Sequence, residues 1–127
     1  MNRFWWICLG GAAGTGARYL ISGWALAILG TGFPWGTLAV NLIGSFLIGA
    51  IMHVGLTTQI LSPTARLALT TGMMGGFTTY SAFNYESLKF FQDGAWLAGL
   101  ANILVMVLAC LAAGAAGIGI ARLVLGH

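Results

Sequence analysis

TTGMMGGFTTYSAFNYE, residues 70–86, lies inside an apolar segment long enough to cross a membrane. Two adjacent glycines followed by two threonines are poor helix formers, and each Gly costs up to about 1 kcal/mol relative to Ala. We therefore predict that this helix is broken between Gly75 and Thr79. Unwound backbone in a bilayer persists only where protein, an ion or water satisfies it, and transporters and filters build ion sites in this way. The alternative is a simple kink caused by close packing at Gly72 and Gly76.

The rest of the chain is equally apolar. Its mean hydropathy is +0.94, and only 6% of its 127 residues are charged, against about a quarter in soluble domains. A span needs roughly 20 apolar residues, and the sequence contains four such runs. They are Phe4–Ile28, Trp35–Leu56, Leu67–Phe91 and Trp96–Leu125. We predict an all-α integral membrane protein in which residues 1–127 form a single four-helix unit.

Short connections with turn residues separate these runs. A Gly/Pro turn covers Gly30 to Pro34, Ser62-Pro63 begins the third helix, and Asp93-Gly94 is a tight link. The first run is too long for the apolar core of a signal peptide, so we interpret it as a span, with the mature chain beginning at Met1.

Charge and composition exclude several classes of function. The five basic residues are scattered singly, so no basic patch for nucleic acid exists. Cys8 and Cys110 lie in apolar runs, where a thiol is usually a small hydrophobe. His53 and His127 are far apart in sequence and have no carboxylate nearby, and no nucleophile–base pair indicates an enzyme.

The distribution of basic residues says little about orientation. With four spans, Arg3, Arg66 and Arg122 share one face and Lys89 lies opposite. The positive-inside rule then weakly favours cytoplasmic termini. Insertion in both orientations is equally compatible with so small a bias.

Glycine is abundant, with 20 residues, and several glycines recur at helical spacing. Gly10 and Gly14, and Gly72 and Gly76, are four residues apart. Small residues at this spacing let helices approach closely in lipid. Four short helices enclose a polar pathway poorly, so we expect a homo-oligomer, most simply a two-fold dimer.

Two polar side chains inside the first two spans need partners. Arg18 lies well inside the first span, where an arginine costs about 2.5–3.5 kcal/mol. It either snorkels to an interface or lines a water-filled vestibule that attracts anions. The amide of Asn41 must bond either to another helix or to a permeating species.

Tyr80 and Phe83 are three residues apart, so their rings share one helical face, with Ser81 and Asn84 beside them. Ring edges carry partial positive charge. A small anion could be held by these edges and by hydroxyl or amide donors. Taken alone, such a ring pair is more often simple packing.

Taken together, these segments resemble the Fluc (CrcB) family of fluoride ion channels over essentially the whole chain. The first span carries Gly10-Gly11-x-x-Gly14-x-x-x-Arg18-Tyr19 and the second Gly36-Thr37-Leu38-x-Val40-Asn41-Leu42-x-Gly44. The third carries Thr71-Gly72-x-x-Gly75-Gly76-x-Thr78-Thr79-Tyr80-Ser81-x-Phe83, followed by Glu86.

The resemblance implies an antiparallel, dual-topology homodimer in the bacterial inner membrane, with two pores that pass fluoride passively out of the cell. It further implies a central sodium ion held by the backbone carbonyls of Gly75 and Thr78 from both subunits. The fluoride pathway that it implies comprises Asn41, Tyr80, Ser81, Phe83, Asn84, Arg18 and Glu86.

The chain departs from this family's pattern in two places. Residues 80–84 read Tyr-Ser-Ala-Phe-Asn where the family usually has Phe-Ser-Thr-Phe-Ser. The fourth span has Met106, Cys110 and Gly114 where family members tend to carry polar side chains, and Asn102 is its only strong polar group. These differences bear on rate and pore number.

Two other functions remain open from the sequence. One is a small multidrug-type proton-coupled exporter, which needs a titrating carboxylate in the membrane. Glu86 and Asp93 are the only acids, and both lie towards the end of the third span. The other is a non-conducting subunit of a heterodimeric channel.

Overall fold

Three long helices form most of the molecule. The computed structural model describes Asn2–His127, and within that range every element of regular secondary structure is helical. Helices α1 (Asn2–Leu29) and α2 (Trp35–Thr57) come first. The last helix, α6, covers Trp96–Leu125. These bounds agree with the predicted first, second and fourth spans to within two residues.

The third segment is split into two half-helices. The first half-helix, residues 63–77, consists of α3 (Pro63–Leu67), a π-helix (Ala68–Met74) and a short α4 (Gly75–Phe77). The second half-helix is α5 (Tyr80–Gln92). Between them, Thr78 has ψ 159° and Thr79 has φ −147°, so both are extended. The predicted break in the third helix is confirmed.

The break lies later than its glycines. Gly75 and Gly76 are helical, and the chain unwinds only at Thr78 and Thr79. Gly76 is needed for packing instead, because a Cβ there would lie 2.4 Å from the carbonyl oxygen of Gly11. Thr79 suits the break because its hydroxyl caps α5 by accepting a hydrogen bond of 3.1 Å from the Ala82 amide.

The connections between helices occur at the turn residues identified in the sequence. Gly30 and Gly94 adopt positive φ values of 80° and 79°, which favour glycine. The Ser62 hydroxyl accepts from the Ala65 amide at 3.0 Å, and Pro63 occupies the first turn of α3. The predicted turns are therefore confirmed.

Glycines set the closest contacts between helices. A Cβ on Gly14 of α1 would lie 2.0 Å from the carbonyl oxygen of Met73, and one on Gly72 would lie 2.6 Å from that of Ile7. The same holds between α2 and α6, where a Cβ on Gly117 would lie 2.0 Å from the carbonyl oxygen of Phe46. The predicted packing role of the spaced glycines is confirmed at these positions.

The exterior is apolar, as expected of a protein in lipid. Large side chains such as Leu97, Leu123 and Ile28 are at least 80% exposed. Among the described helices, α2 and α6 are long and apolar enough to cross a bilayer. The half-helices are each too short to do so alone, since α5 has only 13 residues.

Gly14 and Gly16 provide a matched test of this packing. Gly14→Ala forces a Cβ into the backbone of the first half-helix, and overpacking of this kind costs about 1–3 kcal/mol. Gly16→Ala meets nothing within 4 Å and improves helix propensity. We expect the midpoint of thermal unfolding in detergent to fall for Gly14→Ala and to stay level or rise for Gly16→Ala. Equal midpoints for the two variants would contradict the packing described here.

Candidate functional site

The Asn41 side chain clamps the break. Its amide nitrogen donates to the carbonyl oxygen of Thr79 at 3.0 Å, and its oxygen accepts from the Thr79 amide at 2.8 Å. One side chain from α2 thus satisfies both backbone groups of an extended residue. The amide of Asn41 was expected to bond either to another helix or to a permeating species. In the structure it bonds to the backbone of the neighbouring third segment.

The clamp leaves two carbonyl oxygens without their usual donors. In an α-helix the Gly75 carbonyl would accept from the Thr79 amide, and the Thr78 carbonyl from the Ala82 amide. The first amide is bound to Asn41 and the second to the Thr79 hydroxyl. Hard cations bind oxygen ligands such as backbone carbonyls, so Gly75 and Thr78 present the chemistry that a sodium ion requires.

Arg18 binds the end of the first half-helix. Its Nε donates to the Gly76 carbonyl oxygen at 3.0 Å, and the residue is half-buried. A cation near the last turn of a helix is stabilised by the partial negative charge there. The cost expected for an arginine inside the predicted first span is therefore offset by a partner inside the protein.

The two predicted rings meet at the start of α5. The centroids of Tyr80 and Phe83 are 5.7 Å apart and the rings are nearly perpendicular, at 81°. Phe83 is 8% exposed, whereas Tyr80 is 77% exposed. The Ser81 hydroxyl lies 3.4 Å from that of Thr79, and Asn84 is exposed. The rings therefore meet on one face of α5, as predicted from their spacing, and the edge of one points at the other.

An open groove of about 510 Å³ runs along the break. Of the predicted site residues, it is lined by Asn41, Gly75, Thr78, Tyr80 and Phe83. Met74, Met106 and Cys110 complete part of its wall. No charged side chain occurs among the described residues that line it.

Glu86 belongs to a second cavity. The Thr37 hydroxyl donates to Glu86 Oε2 at 2.8 Å, and Oε1 is buried without a partner among the described residues. This cavity, of about 480 Å³, is also lined by Lys89 and Asp93, which form an exposed ion pair at 3.3 Å. Glu86 thus lines a different cavity from the rings of the groove, whereas the resemblance implies one pathway for them.

Buried hydrogen bonds connect α6 to the backbone of Phe83. Asn102 of α6 is 1% exposed, and its nitrogen donates to the Ser87 hydroxyl at 2.9 Å. Ser87 in turn donates to the Phe83 carbonyl oxygen at 2.8 Å. Ser87 was not among the site residues predicted from the sequence, although it lies four residues after Phe83 on the same face of α5. Thr37, which lies one turn before Asn41, was not predicted either.

In α6 a thioether takes the place of a polar group. The Asn41 nitrogen also contacts Met106 Sδ at 3.4 Å, and Cys110 Sγ lies 3.7 Å from the same sulfur. The fourth span was expected to offer little hydrogen bonding. Met106 nevertheless gives Asn41 a weak third partner.

Comparison with known proteins gives one consistent result. Residues 5–118 match the family described as CrcB-like protein, Camphor Resistance (CrcB). A protein of Sorangium cellulosum named fluoride-specific ion channel FluC is 57% identical over 122 residues, which cover 96% of each chain. Proteins of the same name from Anaeromyxobacter dehalogenans and Citrifermentans bemidjiense are 53% and 47% identical, over 89% and 96% of this chain and 90% and 98% of their own.

Proposed function

We propose, from the premise that this chain belongs to the CrcB family, that it is a fluoride-specific ion channel. Fluoride moves through it passively, out of the cell and down its gradient, which relieves fluoride toxicity. The observation that carries this proposal is the uncharged groove at the break, which both Asn41 and Phe83 line. Its close relatives are named as channels, and no enzymatic activity is proposed.

Uncharged dipoles suit a small, strongly hydrated anion. Such an ion needs several donors to replace its water, yet it must not be held so tightly that conduction stops. A fixed positive charge in the groove would bind it strongly. Ring edges, which carry partial positive charge, and amide N–H groups provide weaker and more numerous contacts.

Each predicted residue then has a role in the pathway. Asn41 donates to the ion as it passes the break, in place of its weak contact with Met106 Sδ, and Tyr80 and Phe83 provide ring edges. Ser81 and Asn84 add polar groups beside the rings.

Arg18 and Glu86 serve the ends of the pathway. Arg18 adds positive charge near a vestibule while it binds Gly76. Glu86 and Thr37 lie in the second cavity, which we propose as the opposite mouth. Fluoride then passes beside Phe83, which lines the groove, on its way to the second cavity.

We further propose that two copies form an antiparallel homodimer of dual topology, each a multi-pass subunit of the inner membrane, with two pores. Gly75 supports this arrangement because it is exposed, and a Cβ there would contact only the Thr70 carbonyl oxygen, at 3.8 Å. In the dimer the Gly75 and Thr78 carbonyls of both copies would hold a central sodium ion. That ion would supply the positive charge that satisfies these oxygens.

The exporter hypothesis receives less support from the geometry. Proton coupling to a substrate requires a titrating carboxylate at the binding site. Glu86 is hydrogen-bonded to Thr37 and lies outside the groove.

Vesicles that contain this protein alone distinguish a channel from a non-conducting subunit, because the latter would release no fluoride without a partner chain.

Efflux from liposomes tests the pathway. We expect the wild-type protein to release fluoride and to retain chloride. Phe83→Ile removes a ring edge and Asn41→Asp removes a donor, so each should slow fluoride efflux at least about tenfold, equivalent to about 1.4 kcal/mol. Phe4→Ile serves as control, since Phe4 is 56% exposed on α1, outside the groove. Wild-type rates for Phe83→Ile and Asn41→Asp would refute these roles.

Glycine substitutions test the dimer and its ion. Gly75→Ala and Gly114→Ala both meet only ordinary contacts within the chain, at 3.8 and 3.5 Å. Gly75→Ala alone would crowd the proposed sodium site between the copies. We expect size-exclusion chromatography with light scattering to show loss of dimer, and vesicles to show loss of efflux, for Gly75→Ala but not for Gly114→Ala. A stable, active Gly75→Ala dimer would contradict the sodium site.

A further inference from the structure

One wall of the groove is built from sulfur. Met106 and Cys110 are one turn apart on α6, and Cys110 Sγ lies 3.7 Å from Met106 Sδ. Met74 of the π-helix lines the same groove. Cys110 is a free thiol of intermediate exposure. The thiol therefore has a thioether directly beside it, and a second thioether lines the same groove.

This combination selects a particular class of metal ion. Thiolate and thioether ligands favour soft ions such as Cu⁺, whereas hard ions such as sodium favour oxygen. The two sulfurs are 3.7 Å apart, and a metal ion about 2.3 Å from each of them would have an S–metal–S angle of about 107°. That angle is close to tetrahedral, so the pair can bind one ion without a large movement and leave room for a further ligand.

We propose that Met106 and Cys110 form a binding site for a soft monovalent cation, Cu⁺ or Ag⁺, and that its occupancy blocks fluoride conduction. On binding, the Cys110 thiol releases its proton and forms the S–metal bond, while the Met106 thioether donates a lone pair. The blocking half of this proposal rests on the function proposed above.

The position of the two sulfurs explains the block. Met106 packs in one cluster with Phe83 and Leu38, and Cys110 packs against that cluster. Met106 Sδ also accepts from the Asn41 nitrogen. A metal on that sulfur competes for the same electrons, weakens this contact and fills the groove beside both Asn41 and Phe83.

Cys8 offers a natural control within the same chain. It is exposed on α1, and the residues one turn away are Phe4 and Ala12, so it has no neighbouring thioether at that spacing. Cys8→Ser therefore provides a background in which Cys110 is the single thiol. Cys110→Ser and Met106→Leu can then be added separately to this background.

Silver is the probe, added as nitrate in chloride-free buffer to purified protein. In the Cys8→Ser background we expect calorimetry to show one tight site per chain with release of a proton, and Ag⁺ to slow fluoride efflux from vesicles at least about tenfold. Excess dithiothreitol should restore the flux. Added Cys110→Ser should abolish both binding and block, and added Met106→Leu should weaken binding about tenfold or more.

Different failures separate the two proposals. Unchanged Ag⁺ affinity in the Met106→Leu variant would overturn the paired site, because a lone thiol would then explain the binding. Tight binding without any slowing of a working fluoride efflux would overturn the block. If no variant releases fluoride even without silver, the proposed channel function fails, while binding that depends on Met106 would still support the metal site.

Discussion

The pair of hydrogen bonds between Asn41 and Thr79 is the interaction on which this architecture depends. Two extended residues at Thr78 and Thr79 interrupt the third helical segment, and in a bilayer each unsatisfied backbone group costs several kcal/mol. Asn41 meets this requirement from α2 with one donor and one acceptor. The same bonds divert the Thr79 amide and so leave the Gly75 carbonyl without the donor that it would have in an α-helix.

The rest of the bundle holds the two half-helices in position for that clamp. Gly14 and Gly76 let α1 and the first half-helix approach closely, and Arg18 caps its last turn through the Gly76 carbonyl. On the other side, Asn102 and Ser87 fix the backbone of Phe83. The ring and the clamp therefore face one groove because rigid neighbours hold each of them.

Much of the fold follows from sequence because its signals are local. Runs of apolar residues define the spans, and Gly30 and Gly94 mark turns that require positive φ. The break was predicted from its glycines, yet Gly76 remains helical because its missing Cβ serves contact with α1. That distinction depends on the tertiary packing of the first half-helix and is not encoded in local propensity.

The candidate site was predictable only in part. The spacing of Tyr80 and Phe83 predicted a shared face, and the ring geometry agrees. The partner of Glu86 could not be deduced, because its hydrogen bond joins Thr37 to a residue 49 positions away. Few polar side chains were expected on α6, and the sulfur of Met106 contacts Asn41 there.

Backbone hydrogen–deuterium exchange of the peptide around Thr79, measured on protein in lipid nanodiscs, tests the central claim most directly. Asn41→Leu leaves a backbone donor and acceptor unsatisfied, at a cost of about 1–3 kcal/mol each, so exchange there should accelerate about tenfold or more. Ser45→Ala, one turn later on α2, should leave it unchanged. If Asn41→Leu exchanges at the wild-type rate, Asn41 does not hold the break and the account is wrong.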